Sequence, residues 1–177
     1  MQIISYNSNY AEQIATLLNN YLPFEPESAQ TVDQADGVRF ICVTNTNEVI
    51  GYIAGYLIQN FDADFPYYKE ELSNLAEYVS EHLCMYSSHF VVHPNYRNKG
   101  IGSKLVTAYV EAAQQIAQSI IVVGWVQSDI NKWAAKAQFL KHGFTSFKYM
   151  PRYFEPYEVH CPSCGGLCYC DAEIFVK

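Results

Sequence analysis

The chain is poor in charge, and poorest in positive charge. Charged residues are 16% of 177 positions, and 18 Asp and Glu against 11 Lys and Arg leave a net charge of −7. A nucleic-acid surface needs a basic patch, so that class of partner is not expected. Long apolar runs are also missing: none approaches the roughly 20 residues of a membrane span. The opening MQIISYNSNY has no basic stretch followed by an apolar core, so it does not read as a signal peptide. The expectation is a cytoplasmic protein with neither nucleic acid nor membrane as partner. Disorder is excluded from the other side, since 50% of residues are hydrophobic. At this length the chain reads as one domain, 1–177, with a substantial core. Tyrosine is abundant, 15 in all, which suits an aromatic-lined groove and an ordinary core equally.

The most informative stretch runs from His89 to Ile120. It opens with apolar Phe90, Val91 and Val92, which His93-Pro94 ends, because proline cannot donate to a ladder. A basic turn follows, Arg97-Asn98-Lys99-Gly100-Ile101-Gly102. Apolar residues at 101, 105, 109, 113, 116 and 120 then predict one buried helical face. Strand, glycine turn and helix start read either as an anion site or as an ordinary glycine loop with exposed basic residues. The first helical amides lack intrahelical partners and the dipole is positive there. Gly100 and Gly102 keep side chains away from those amides, and Arg97 and Lys99 add charge.

The rest of the chain supplies elements around this centre. Residues 2–6 read as a strand. Asn9 is placed to cap a helix reaching about residue 22, which Pro23 and Pro26 break, and a weaker helix is predicted at 27–35. Strands at 38–44 and 49–59 flank Asn45-Thr46-Asn47-Glu48, the pattern of an antiparallel hairpin. Cys42 reads as a buried small hydrophobe. Residues 60–83 form an aromatic and acidic loop followed by a helix with Leu72, Leu75, Ala76, Val79 and Leu83 on one side. Its acids are either a solvated face or a lid attracting a cation. A strand at 84–92 leads into the central motif. IIVVGWVQ at 120–127 fits a strand covered on both faces. Ser128 or Asp129 is placed to cap a further helix ended by Gly143.

The string V-x-P-x-x-R-x-x-G-I-G-S resembles the acyl-CoA motif of the GNAT (GCN5-related N-acetyltransferase) superfamily. The resemblance covers about residues 1–159 and implies an α/β fold: a central mixed, mostly antiparallel sheet flanked by helices, closing on a C-terminal β-hairpin. It implies acetyl-CoA as co-substrate, with the pyrophosphate on Arg97, Asn98, Lys99, Gly100, Ile101, Gly102 and Ser103. It further implies that the pantetheine arm lies along Val91 and Val92, and that an amide near Val92 polarises the thioester carbonyl. Asn131, Ala134, Phe139 and Gly143-Phe144 match a second family segment, in which Asn131 would bond the pantetheine. Against that pattern, residues 60–83 look like an insertion. The acceptor side implied by the family is bordered here by Glu25, Glu27, Asp33 and Asp36.

One departure bears on chemistry. Many of these enzymes carry a tyrosine that protonates the leaving thiolate where this chain has Phe139, which has no proton to give; Tyr149 and Tyr153 lie downstream. The acceptor amine needs deprotonation, since its reference pKa is about 10.4. His89 is the first candidate base, ahead of Glu81 and His82. Alternation places it on the side of Ser87 and Val91. A structural histidine is the competing reading.

Residues 161–170 read CPSCGGLCYC. Cys161, Cys164, Cys168 and Cys170 have the form of a zinc knuckle and would complete a closed tetrahedral Zn2+ site at a hairpin tip, with His160 as a spare ligand. The alternatives are an iron–sulfur centre, a redox pair and free thiols. Taken together, these features predict an acetyl-CoA-dependent N-acetyltransferase in which a small-molecule or peptide amine attacks the thioester directly; a homodimer is compatible with them, and the oligomeric state is left open. The alternative is a CoA-binding module of the same fold that acts through protein interaction.

Overall fold

The computed structural model describes residues 1–22 and 26–177. Pro23 and Glu25 therefore lie outside the described residues. In chain order the elements are β1 (Gln2–Ser5), α1 (Ala11–Tyr21), α2 (Ala29–Gln34), β2 (Val38–Val43), β3 (Val49–Leu57), α3 (Phe61–Asp64) and α4 (Ser73–Glu81). Then come β4 (Cys84–Val92), α5 (Ile101–Ala113), β5 (Ser119–Val126), α6 (Lys136–Lys141), β6 (Thr145–Met150), β7 (His160–Cys161), β8 (Gly166–Leu167) and β9 (Asp171–Val176). Seven strands form one sheet in the order β1-β2-β3-β4-β5-β9-β6. Among the described residues β4 and β5 run parallel and the other pairings are antiparallel. This is the mixed, mostly antiparallel α/β sheet expected from the sequence.

Alternation along the strands feeds both faces. On β5, Ile120 and Val122 turn toward α5, where they meet fully buried Leu105, Val106 and Tyr109. Ile121 turns the other way, onto Phe65, Leu72 and Leu75 from the 60–83 segment. That segment thus lies over the face of the sheet rather than its edge. Most of its acids, Asp62, Glu70, Glu71, Glu77 and Glu81, are exposed and form a solvated surface. α1 and α2 cover the β1–β3 end of the same face through Ile14, Leu18 and Val32.

Several local expectations shift. The side chain of Asn7, not Asn9, accepts from a backbone N–H and starts a short 3-10 turn, so α1 begins at Ala11. α5 ends at Ala113; Ile116 is exposed and Ile120 belongs to β5. A four-residue spacing fits one step of a helix or two of a strand, and the switch falls inside it. The predicted helix after β5 starts only at Lys136. Before it, residues 127–135 make a turn closed by a Gln127–Lys132 bridge, with Asn131 at φ 45°. Ser128 does not cap that helix; its hydroxyl lies against Ser163 and Cys164.

Candidate active site

Parallel pairing of β4 with β5 runs from Cys84–Ser119 to Ser87–Val122 and stops. Beyond that point the two strands part. The cause lies on β4. Ala54 of β3 faces His89, but Tyr56 faces Tyr86, so Ser87 and Ser88 together oppose the single residue Gly55. The extra residue is a β-bulge, which bends a strand and raises its twist. It turns the second half of β4 away from β5, which continues along β9.

A cavity of about 620 Å³ occupies the opening. One wall is β4 from Ser87 to Val92; the other is Val123, Trp125 and Gln127 of β5 and its loop, then Trp133, Ala134 and Ala135. At one end stands the glycine turn. Asn98 and Gly100 take left-handed conformations, φ 60° and 78°, and α5 begins at Ile101. The first helical bond here runs from Lys104 N–H to the Gly100 carbonyl at 3.1 Å, so the amides of Ile101, Gly102 and Ser103 precede it. The two glycines serve different ends. An added Cβ at Gly100 meets nothing within 4 Å, so its positive φ is the reason for glycine. At Gly102 the Cβ would lie 3.2 Å from Phe90 Cζ, so close helix–strand approach is the reason.

Of the donor residues named from the sequence, Val91, Val92, Arg97, Asn98, Gly100, Ile101, Gly102 and Ser103 line this cavity. Lys99 and Asn131 do not. Lys99 donates to the Asn95 carbonyl at 3.1 Å and sits over the Tyr96 ring, and Asn131 turns on the loop outside the wall. Arg97 is held by its Nε, which donates to the Val92 carbonyl at 3.0 Å. That bond ties the end of β4 to the turn.

The other end of the cavity is aromatic and acidic, with Glu27, Tyr56, Tyr86, Phe154 and Tyr157. His89 stands between the ends. Its Nδ1 lies 3.0 Å from Ser88 Oγ and its Nε2 is 3.5 Å from Glu27 Oε1. Glu27 is itself positioned: Thr31 Oγ1 donates to its carboxylate at 2.6 Å, and its backbone N–H donates to Asn19 Oδ1 at 2.8 Å. The His89 ring meets Tyr52, in the cluster under α1 that also holds Val91. Ser87, contrary to simple alternation, faces Tyr109 on the α5 side. The bulge is the reason, because one extra residue reverses the alternation across it. Periodicity carries no signal for a bulge, nor for the meeting of Glu27 with His89 across the fold.

Phe139 is buried against Trp133, Phe144 and Phe90, with no hydroxyl to offer. Neither Tyr149 nor Tyr153 lines the cavity: Tyr149 is exposed and donates to Asp171, and buried Tyr153 accepts from Tyr157. Burial pushes the phenols of Tyr56, Tyr86 and Tyr157 upward, and donation to Asp64 adds to this at Tyr56. All three phenols stay protonated at neutral pH. Glu81 is exposed, and the His82 ring stacks on Tyr78 with Nδ1 2.9 Å from the Tyr78 carbonyl; neither is on the cavity wall.

The description "Acetyltransferase (GNAT) family" matches residues 10–144 of this chain, more than half of its length. The chain belongs to the GNAT acetyltransferase family. Membership makes it an acyltransferase. No curated protein matches it in sequence. Solved structures share the fold at low identity. Arabidopsis thaliana NAA60 in complex with acetyl-CoA has a TM-score of 0.69 at 15% identity, covering 99% of this chain and 97% of that one. Ribosomal-protein-alanine N-acetyltransferase from Brucella melitensis has 0.67 at 13%, covering 100% and 99%. A chain of the NatC complex bound to Gag peptide and CoA has 0.64 at 21%, covering 99% and 98%.

The cysteine cluster lies beyond the family match, at the tip joining β6 to β9. Its four sulfurs all fall within 4.8 Å of one another, with Cys164–Cys170 at 3.4 Å and Cys161–Cys170 at 3.8 Å. A disulfide needs about 2.05 Å. Zinc–sulfur bonds of about 2.3 Å place tetrahedral sulfurs about 3.8 Å apart. The arrangement therefore fits a four-thiolate metal site and does not fit a pair of disulfides. Backbone N–H groups of Ser128 and Tyr169 point at Cys170 and Cys164 sulfurs, at 3.4 and 3.5 Å, as acceptor thiolates require.

Proposed function

We propose that this chain, read as one domain over 1–177, transfers an acetyl group from acetyl-CoA to a primary amine. The observation that carries the reading is the parting of β4 from β5 beyond Ser87, with a helix N-terminus at its mouth. In this reading the first-turn amides and Arg97 hold the pyrophosphate. The pantetheine arm takes the strand-like place left open beside Val91 and Val92, where an amide near Val92 polarises the thioester carbonyl. The amine enters from the Glu27–Tyr56–Tyr157 end. Its nitrogen attacks the thioester carbon, the C–S bond breaks, and His89 or a water it orders takes the amine proton. Phe139 supplies no acid; a thiol with a reference pKa of about 8.5 is a leaving group that needs none.

Among the described residues, the wall of the acceptor end carries Glu27 and phenols and no Lys or Arg, which favours a cationic amine. The acceptor is proposed to be a peptide or small-molecule amine; NAA60 has been solved with a bisubstrate analogue and NatC with a peptide. The four cysteines are proposed to hold one structural Zn2+, a closed site with no open position for chemistry. Six free thiols, no disulfide among the described residues and such a site favour a reducing, cytoplasmic setting.

The test is acceptor-dependent release of CoA thiol from acetyl-CoA with a panel of peptide and small amines. Release that requires the acceptor and is lost in His89→Ala supports the reading. The buried Phe139 favours a second reading, a CoA-binding module without transfer. Tight donor binding with no release for any amine in the panel would select it.

A further inference from the structure

We propose that the four-cysteine site fastens the outer wall of the donor cleft, so that acetyl-CoA binding depends on the metal it holds. The proposal rests on the donor and metal readings above.

That wall leaves the sheet with β5 and continues through residues 127–135. Its second half is anchored independently of the cysteines. Trp133 packs onto Gly124, Phe139 and Phe175, and Lys136 pairs with buried Glu173 at 2.6 Å. Its first half is anchored on the 160–170 hairpin. Ser128 N–H donates to Cys170 Sγ at 3.4 Å, and the Ser128 hydroxyl lies 3.3 Å from Cys164 Sγ. Asp129 N–H donates to Ser163 Oγ at 3.2 Å, and the Ser163 hydroxyl donates back to the Asp129 carboxylate. Two of these contacts end on sulfurs of the cluster and two on the residue between its first two cysteines.

Apart from its sulfurs the hairpin is held by a few backbone bonds: Cys168 N–H to the Val159 carbonyl at 2.9 Å, Gly165 N–H to the Cys161 carbonyl at 3.0 Å and Phe154 N–H to the Cys170 carbonyl at 3.3 Å. β7 and β8 have two residues each and pair only His160 with Leu167 and Cys161 with Gly166. A two-stranded hairpin is marginal in water even when longer. The buried residues beneath it are Cys161, Cys168 and Cys170, packed with Trp125, Phe154 and Val159. Those last three also line the donor cavity. The sulfurs are therefore both the centre of the hairpin and the neighbours of the wall. A bound cation gives the sulfurs a common centre and keeps them as thiolates. Hydrogen bonds from Ser128 to thiolate are stronger than those to a neutral thiol. Without the metal, four thiols share a small volume with nothing to hold them together, and both the 127–129 turn and the Trp125–Val159 side of the wall lose their support.

The experiment measures acetyl-CoA affinity by calorimetry on zinc-loaded, chelator-stripped and zinc-restored protein under reducing conditions, with native mass spectrometry counting the metal. Ser128→Ala/Ser163→Ala is measured beside them, because it keeps all four cysteines and cuts the side-chain links. Expected are one zinc per chain and affinity that falls about tenfold or more on stripping and returns with zinc. The double variant should keep its zinc and bind about 5-fold more weakly or worse, the least that two hydrogen bonds of ordinary strength would give. Unchanged affinity in the stripped protein would overturn the proposal. If circular dichroism shows that stripping unfolds the chain, the double variant decides alone, and wild-type affinity in it overturns the proposal. A chain that takes up no zinc would refute the metal reading, and this proposal with it, while leaving the donor site standing. Zinc-loaded protein that ignores acetyl-CoA would strike the donor reading and this proposal while leaving the metal site.

Discussion

Gly55 and Tyr109 interlock: a Cβ built on Gly55 would lie 2.0 Å from the Tyr109 hydroxyl oxygen and 2.5 Å from the Tyr86 carbonyl oxygen. The glycine is on β3, opposite the Ser87–Ser88 bulge, and the tyrosine reaches it from α5. The bulge, the helix that follows the glycine turn and the opening of the cleft are thus tied at one point. Only a residue without a side chain lets the phenol come so close to the strand.

Gly55→Ala is expected to destabilise the protein by about 2 kcal/mol or more, because neither the backbone carbonyl nor the ring can yield without moving a strand or helix. Denaturant unfolding measures it. The hydroxyls of Ser87 and Tyr109 are buried without a hydrogen bond of ordinary geometry. Tyr109→Phe should therefore cost less than about 1 kcal/mol, since it removes a polar atom that is not well paired. A larger loss would mean that the phenol is held by a partner such as a buried water.

Gly100→Asp separates donor binding from folding. Aspartate tolerates the left-handed conformation better than most residues, and its side chain finds open space at a helix start that favours negative charge. The left-handed backbone should cost about 1–2 kcal/mol of stability and leave the chain folded. The same carboxylate would occupy and repel the pyrophosphate position, so acetyl-CoA affinity should fall about 100-fold. Calorimetry and a melting curve on one sample read both effects, and equal donor affinity would remove the glycine turn from the donor site.

His89→Ala should lower kcat about 10²- to 10⁴-fold, the usual range for loss of a general base, with donor affinity nearly unchanged. Glu27→Gln tests the pairing seen at 3.5 Å. It keeps the shape of the side chain and removes its charge, so kcat should fall, though less than in His89→Ala, with donor affinity nearly unchanged. Unchanged kcat would show that Glu27 does not act through His89.

Gly124→Ala puts a methyl group 2.3 Å from the Trp133 ring. The ring is packed by Phe139 and Phe175 and can yield only toward the cleft. Expected are a loss of about 1–3 kcal/mol and weaker acetyl-CoA binding, because Trp133 lines the cleft. Stability that falls with donor affinity intact would separate this tryptophan from the site.

The sequence by itself determined the main strands and helices, the glycine turn and the clustering of the cysteines. Each is local in the chain. A near-continuous apolar run marks the strand Ser119–Val126, helical spacing marks the start of the helix at Ile101, Arg97 to Gly102 lie in one turn, and four cysteines fall within ten residues. Tertiary structure decided the rest. The bulge at Ser87–Ser88 depends on what stands opposite it on β3, so alternation alone set Ser87 on the wrong side. Asn131 and Lys99 follow the motif in sequence, yet neither lines the cleft: Asn131 stands at φ 45° on the loop after β5, and Lys99 donates to the Asn95 carbonyl. Glu27 meets His89 only because α1 and α2 fold over β4, and Ser128 meets Cys170 only because β9 returns beside β5. Those partners lie tens of residues apart, and no periodicity along a chain encodes a contact that arises when separate elements are packed together.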